Sequence, residues 1–315
     1  MQPYTNSGVV PFDGNPDPVS LKDKTAMVTG GANGIGEAYT LALLKAGAYV
    51  VVADLDSIAG EALENQYPGK IKFVQCNVTK WADQVAVFDA TLALSPSGMI
   101  DVVIPNAGID GADGIFFTDL AKPPVEPRLD ILTINLTGAM YTIKLALHHF
   151  RRQNAQQPPS SPKRFDLILQ GSLAGYLDLP GAPEYSATKF AMRGIMRDLR
   201  RTEWQHNIRV NYIGPWFVRT RILGAAVLQH LESAGVEFAT VDDAAAALMT
   251  VLSDARIVGR ALAVVPRTVV PSGFFDLDAD DYSQGSVLKM MQDKVEDVDN
   301  RSKINAEAQK TAHQA

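Results

Sequence analysis

Between Thr25 and Val265 the chain repeats one unit: an apolar run of strand length, then a stretch with apolar residues at helical spacing. The runs Thr25–Thr29, Tyr49–Ala53, Ile71–Cys76, Ile100–Ile104, Phe165–Gln170, Ile208–Ile213 and Ala261–Val265 read as strands. The intervening stretches Ile35–Ala46, Ile58–Tyr67, Trp81–Leu94, Arg128–Arg152, Tyr185–Gln205 and Asp242–Ser253 read as helices. Strands that lack a polar face must be covered on both sides, which is the condition of a parallel sheet. The expectation is an α/β fold: a Rossmann-type, doubly wound, seven-stranded parallel sheet with helices on both faces, forming a single domain over residues 21–270. Residues 1–20, with Pro3, Pro11, Pro16 and Pro18, read as an extended arm rather than a secretory signal. Residues 271–315 read as an acidic, polar tail with one helix at Ser286–Val295.

The link between the first strand and first helix is Thr29-Gly-Gly-Ala-Asn-Gly-Ile-Gly36. Glycines there let the backbone turn tightly and approach a pyrophosphate, while the helix start offers N–H donors and positive dipole. Gly30, Asn33, Gly34, Ile35 and Gly36 are therefore candidate dinucleotide contacts. Asp54 ends the second strand, where a carboxylate accepts hydrogen bonds from ribose hydroxyls and repels a 2′-phosphate. The alternative is an Asp that caps the next helix. No Lys or Arg occurs in residues 55–60, so NAD is expected over NADP.

Tyr185 and Lys189 stand one helical turn apart on one face. A phenol of pKa ~10 is a poor acid–base group at neutral pH, and bringing it to ~7 needs about 4 kcal/mol of differential stabilisation. A neighbouring ammonium acts in that direction. By itself the pair is equally a surface Tyr with an unrelated Lys.

Thr29–Gly36, Asn106-Ala-Gly108, Asn135, Ser172 and Tyr185-x-x-x-Lys189, in this order, resemble the short-chain dehydrogenase/reductase family, from about Lys22 to Val265. Gly171-Ser-Leu-Ala-Gly175, Ile134-Asn-Leu136 and Phe217-Val-Arg-Thr220 look like the branch around 15-hydroxyprostaglandin dehydrogenase and related fungal dehydrogenases. The resemblance implies that Tyr185 exchanges a proton with the substrate oxygen and that Lys189 lowers its pKa and holds the nicotinamide ribose. Ser172 would hold the substrate oxygen, and Asn135 would anchor a water linking Lys189 to solvent. Asn106, Ala107 and Gly108 would line the adenosine side, Asn77 and Val78 the adenine, and Pro215, Val218 and Thr220 the carboxamide end. Three positions depart from the pattern: Pro105 for an Asn, Asn77 for an Asp, and Trp216 for a Gly after Pro215. The Asn77 amide oxygen is expected to accept the adenine amino group in place of the Asp.

The reading that follows is an NAD-dependent oxidoreductase interconverting a secondary alcohol and a ketone. The alternatives are a ketoreductase in a biosynthetic pathway and a non-catalytic cofactor-binding scaffold. A largely apolar substrate is expected from Trp216, Phe217, Ile222, Leu223, Val227, Leu228 and Phe238 on one side and Tyr176, Leu177 and Leu179 on the other. Phe274 and Phe275 could fold over this pocket, and the lid residues could equally pack inward. Arg219 and Arg221 are either a polar handle or solvated charges. The family pairs through the two long helices, so a homodimer or homotetramer is expected. A net charge of −6 without a basic run speaks against nucleic acid. No run approaches the ~20 apolar residues of a membrane span. The single Cys76 and the absence of H-x-x-x-H spacing argue against a disulfide and a metal site, and fit a cytoplasmic protein.

Overall fold

A computed structural model describes residues 1–6, 8–12, 19–158, 160 and 162–298. Pro16 and Pro18 of the arm, Pro159 and the tail beyond residue 298 lie outside the described residues. The elements follow as β1 (Thr25–Thr29), α1 (Gly34–Lys45), β2 (Tyr49–Asp54), α2 (Ser57–Gln66), β3 (Ile71–Gln75), α3 (Trp81–Leu94) and β4 (Val102–Ile104). Then come α4 (Asp130–Leu132), a π-helical stretch (Thr133–Gly138), α5 (Ala139–Ala155), β5 (Phe165–Gln170), α6 (Pro183–Thr202) and β6 (Ile208–Pro215). The last are α7 (Ala225–Ser233), α8 (Val241–Ser253), β7 (Ala261–Val264), β8 (Phe274–Asp276) and α9 (Val287–Val298). The expected helix Arg128–Arg152 is thus a continuous helical stretch from Asp130 to Ala155 that widens into a π turn after its first three residues.

The strand order is β3-β2-β1-β4-β5-β6-β7-β8. β1 to β7 run parallel, so the doubly wound sheet stands, with its topological switch between β1 and β4. An eighth strand corrects the expected seven: β8 pairs antiparallel with β7, Val264 opposite Phe274. The tail therefore does not begin at residue 271, and the first compact unit runs from Met1 to Leu277, with a second from Asp278. Phe274 is buried against the Phe12 ring, centroids 5.5 Å apart, so it belongs to the core and does not cover a pocket.

Alternate strand residues feed two cores. Val28, Val50 and Val52 meet Leu43 of α1 and Leu248 of α8, while Met27, Val51 and Ala53 meet Phe88 of α3, Ala146 of α5 and Met196 of α6. The arm is fastened rather than free. Arg200 Nη1 donates to the Tyr4 hydroxyl (2.8 Å), and the Val10 N–H donates to Asp276 Oδ2 (3.0 Å). Arg209, buried on β6, donates to Asp166 (2.6 Å) and to the carbonyls of Val251, Asp254 and Ile257, tying two strands to the end of α8. Among the described residues no helix is long and apolar enough to cross a membrane.

Candidate active site

One cleft of about 670 Å³ opens beyond the carboxyl ends of the strands. That is where open parallel sheets bind ligands. Its floor is the turn from β1 into α1. Gly30 and Gly34 have φ of +62° and +57°, left-handed values that side chains disfavour. Gly36 is forced by proximity: a Cβ there would stand 2.0 Å from the Gly30 carbonyl oxygen. Asn106, at the end of β4, braces this turn by donating from Nδ2 to the carbonyls of Thr29 (2.9 Å) and Gly30 (3.0 Å). Thr29 Oγ1 in return accepts the N–H groups of Asn106 and Ala107. The side chain of Asn33, the N-cap of α1, makes no capping bond, and Gly34, Ile35 and Gly36 line the cleft. This leaves the first-turn N–H donors for an anion.

Asp54 lines the same end, its carboxylate set by the N–H groups of Ala32 (3.0 Å) and Asp56 (3.1 Å). Asp56, not Asp54, caps α2 through Ala59. Asn77, Val78, Ala107 and Gly108 also line the cleft. Asn77 Oδ1 accepts the N–H (3.0 Å) and the hydroxyl (2.8 Å) of Thr79, the second from a hydroxyl that can rotate.

At the opposite end α6 presents Tyr185 and Lys189. Pro183 occupies its first turn, where the missing N–H costs nothing. Asp113 Oδ2 accepts the Glu184 N–H (2.6 Å), and Glu184 Oε1 accepts the Leu132 N–H (3.2 Å). Two buried carboxylates thereby lock the starts of α6 and α4 together. The Lys189 ammonium lies 5.3 Å from the Tyr185 ring centroid. Ser172, just past β5, accepts the Ala174 N–H at Oγ (3.1 Å) and faces the Pro215 carbonyl (3.4 Å), lining the same cleft as the Tyr185 phenol.

The electrostatics run against the expectation that Lys189 brings Tyr185 towards neutrality. Burial pushes the phenol up to about 12, the Ser172 hydrogen bond opposing and Asp110 adding to the rise. Burial also brings Lys189 down to about 8, with Asp110 opposing. Loss of hydration is the largest effect on both groups, so at neutral pH the protein's own groups keep the phenol protonated.

Asn135 lies in the π turn but does not line the cleft. Its carboxamide clamps Ile109, accepting its N–H and donating to its carbonyl, both at 2.8 Å.

Pro215, Val218 and Thr220 line the cleft where the segment after β6 crosses the glycine turn; a Cβ on Gly34 would stand 3.1 Å from the Thr220 methyl. Trp216, Phe217, Ile222 and Leu223 line the substrate side, with Leu177 and Leu179 opposite. Tyr176 does not line it: its ring packs on Tyr212 (5.8 Å) and under Arg193 (4.0 Å). Val227, Leu228 and Phe238 also fall outside the lining, and the Arg219 guanidinium covers the Phe238 ring at 4.3 Å.

Sequence reasoning missed two participants, Asp110 and Tyr212, and the contact that Arg221 makes. Asp110, half-buried beside Lys189, follows the Asn-Ala-Gly motif and could have been suspected as an acid inside a binding turn. Arg221 reaches 165 residues back to pair with Asp56 (3.0 Å), so a cation stands at the Asp54–Asp56 end of the cleft, which a scan of residues 55–60 could not show. Tyr212, in the middle of buried β6, brackets Ser172; a phenol in a fully buried strand always needs a partner, and that was the available signal.

A cleft floored by a glycine turn, with a phenol, a hydroxyl and an ammonium along its lining, has the layout of a dinucleotide-dependent oxidoreductase. The short chain dehydrogenase family profile matches residues 24–231, and the chain belongs to that family. It is 34% identical to the 5'-hydroxyaverantin dehydrogenase of Dothistroma septosporum, over 87% of this chain and 94% of that protein. It is 32% identical to the 5'-hydroxyaverantin dehydrogenase of Emericella nidulans, over 91% and 98%. Among solved structures, a 3-ketoacyl-(acyl-carrier-protein) reductase from Brucella melitensis complexed with NADH superposes with a TM-score of 0.67 at 25% identity, covering 78% of this chain and 98% of that one.

Proposed function

We propose that the protein interconverts a secondary alcohol and a ketone on a largely apolar, polycyclic substrate, with NAD as cofactor, as one step of a secondary-metabolite biosynthesis. The observation that carries this is the cluster of Tyr185, Ser172 and Lys189 at the end of a cleft walled by Leu177, Leu179 and Trp216. The relatives named for 5'-hydroxyaverantin support the biosynthetic setting over a general alcohol dehydrogenase. A scaffold role is disfavoured because Ser172, Tyr185 and Lys189 are all kept and all line one cleft.

Gly34, Ile35 and Gly36 would hold the pyrophosphate of a dinucleotide, Asp54 its adenosine ribose and Lys189 its nicotinamide ribose. A bound nicotinamide would supply or accept the hydride, and its oxidised ring would add positive charge favouring the phenolate. Ser172 Oγ holds the substrate oxygen. In reduction the protonated Tyr185 donates to that oxygen, and in oxidation it takes the proton back. Lys189, as an ammonium, stabilises the negative charge left on the phenol. Asp54 and Asp56 place two carboxylates at the ribose, and Arg221 is already paired with Asp56, which favours NAD over a 2′-phosphate.

The experiment compares kcat/KM for NAD and NADP, and for a polycyclic alcohol against a polyol of similar size, with Tyr185→Phe as control. NAD should lead by more than about tenfold, equivalent to ~1.4 kcal/mol. The polycyclic alcohol should win, and the control should be folded and inactive. A better polyol, equal cofactors or an active Tyr185→Phe each removes the corresponding part of the reading. We further propose a dimer or tetramer paired through α5 and α6, which expose Met140 and Phe190. Light scattering at micromolar protein giving only the 34.0 kDa mass would overturn this.

A further inference from the structure

We infer that Tyr212 is a positioning residue for this reaction, its phenol fixing the place of Ser172 by holding both main-chain groups of that residue. The inference rests on the proposed role of Ser172.

The β5–β6 ladder ends at Gln170 opposite Ile213, and the Gly171 N–H makes one more bond, to the Ile213 carbonyl (2.8 Å). Ser172 is extended, at φ −165° and ψ 160°, before the 3₁₀ turn Leu173–Gly175. Its peptide groups have passed the ladder and would lack a partner in a buried wall. Tyr212 supplies one from the neighbouring strand. Its hydroxyl accepts the Ser172 N–H (2.9 Å) and donates to the Ser172 carbonyl (2.7 Å). One phenol thus continues the sheet by one residue at the point where the reactive side chain projects.

The rest of the segment is shaped around that ring. A Cβ on Gly171 would stand 1.8 Å from Tyr212 Cζ, one on Gly175 2.7 Å from the hydroxyl and one on Gly214 2.8 Å from Cε1. Three glycines, one just past β5, one in the 3₁₀ turn and one in β6, therefore clear a slot for a single side chain. Tyr212 itself is fully buried and tied by its N–H to the Arg260 carbonyl (2.9 Å). Core filling would account for the ring, and phenylalanine would serve it equally. It does not account for a hydroxyl bonded twice to one residue. Because Ser172 and Tyr185 line the same cleft, a tilt of the Ser172 backbone moves the group proposed to aim the substrate oxygen. Displacements of about 1 Å at such a group can cost up to ~100-fold in rate.

The test is Tyr212→Phe, which keeps the ring, made both in the wild-type chain and in Ser172→Ala. Acting through Ser172, it should lower kcat by about 10–100-fold in the wild type while leaving the KM for the dinucleotide unchanged. In the Ser172→Ala background it should change kcat by less than about twofold, the signature of a coupled pair. In the cofactor-free protein the Ser172 amide should exchange its hydrogen faster in Tyr212→Phe. Equal losses in both backgrounds, an unchanged wild-type kcat, or an amide that stays protected would overturn the inference. A wild-type enzyme that turns over no alcohol or ketone defeats the proposed function instead, and the amide exchange then still decides the contact.

Discussion

The two ends of the cleft are built in opposite ways. The cofactor end is made of backbone: left-handed Gly30 and Gly34, Gly36 in contact with Gly30, and Asn106 bracing the carbonyls beneath them. The substrate end is made of side chains on connecting segments, and Leu177 there is 48% exposed. Backbone walls leave no room for a changed residue, whereas side-chain walls can be exchanged with little effect on the core. One fold can therefore keep a fixed way of holding a dinucleotide while its substrate varies.

Two substitutions would break or sharpen this contrast. The larger effect is expected from Gly36→Ala, whose added methyl meets a carbonyl oxygen 2.0 Å away with no flexible side chain to yield. Overpacking of this kind costs about 1–3 kcal/mol or more. Dinucleotide affinity, followed by fluorescence titration, should fall by at least about tenfold, and the melting temperature should drop. Unchanged binding would mean that the turn is as adaptable as the other end. The smaller effect is expected from Leu177→Ala. Removing this half-exposed wall residue should forfeit about 1 kcal/mol of apolar contact, raising the KM for a polycyclic alcohol roughly fivefold. The melting temperature and the KM for NAD should stay as they were. A loss of stability comparable to that of Gly36→Ala would show that the substrate wall is core after all.

Much of this contrast was legible in the chain. The glycine turn, Asp54 and the Tyr185–Lys189 pair are local patterns, and each sits at the junction where the alternation of strands and helices places it. The seven parallel strands were legible for the same reason: burial on both faces writes itself as an unbroken apolar run. β8 was not, because Phe274–Asp276 is three residues long and alternates buried and exposed, a pattern too short to separate from a loop. The substrate wall was half legible. Leu177 and Trp216 line it, but Tyr176 turns to Tyr212 and Phe274 to the core, since an apolar residue in a connecting segment does not record which side it packs on.

What the sequence by itself determined is the order of elements, the parallel sheet and the chemical groups available, because these follow from hydrophobic period and from residues a few positions apart. Tertiary structure alone decided which distant groups meet. Arg221 reaches Asp56, Asp113 caps α6 at Glu184, Arg209 gathers carbonyls from α8 and its trailing turn, and Tyr212 brackets Ser172. It also decided the protonation of Tyr185, whose phenol burial pushes up. The physical reason is common to all of these. Desolvation and the pairing of buried polar groups depend on what surrounds a side chain in space, and separation along the chain carries no information about that.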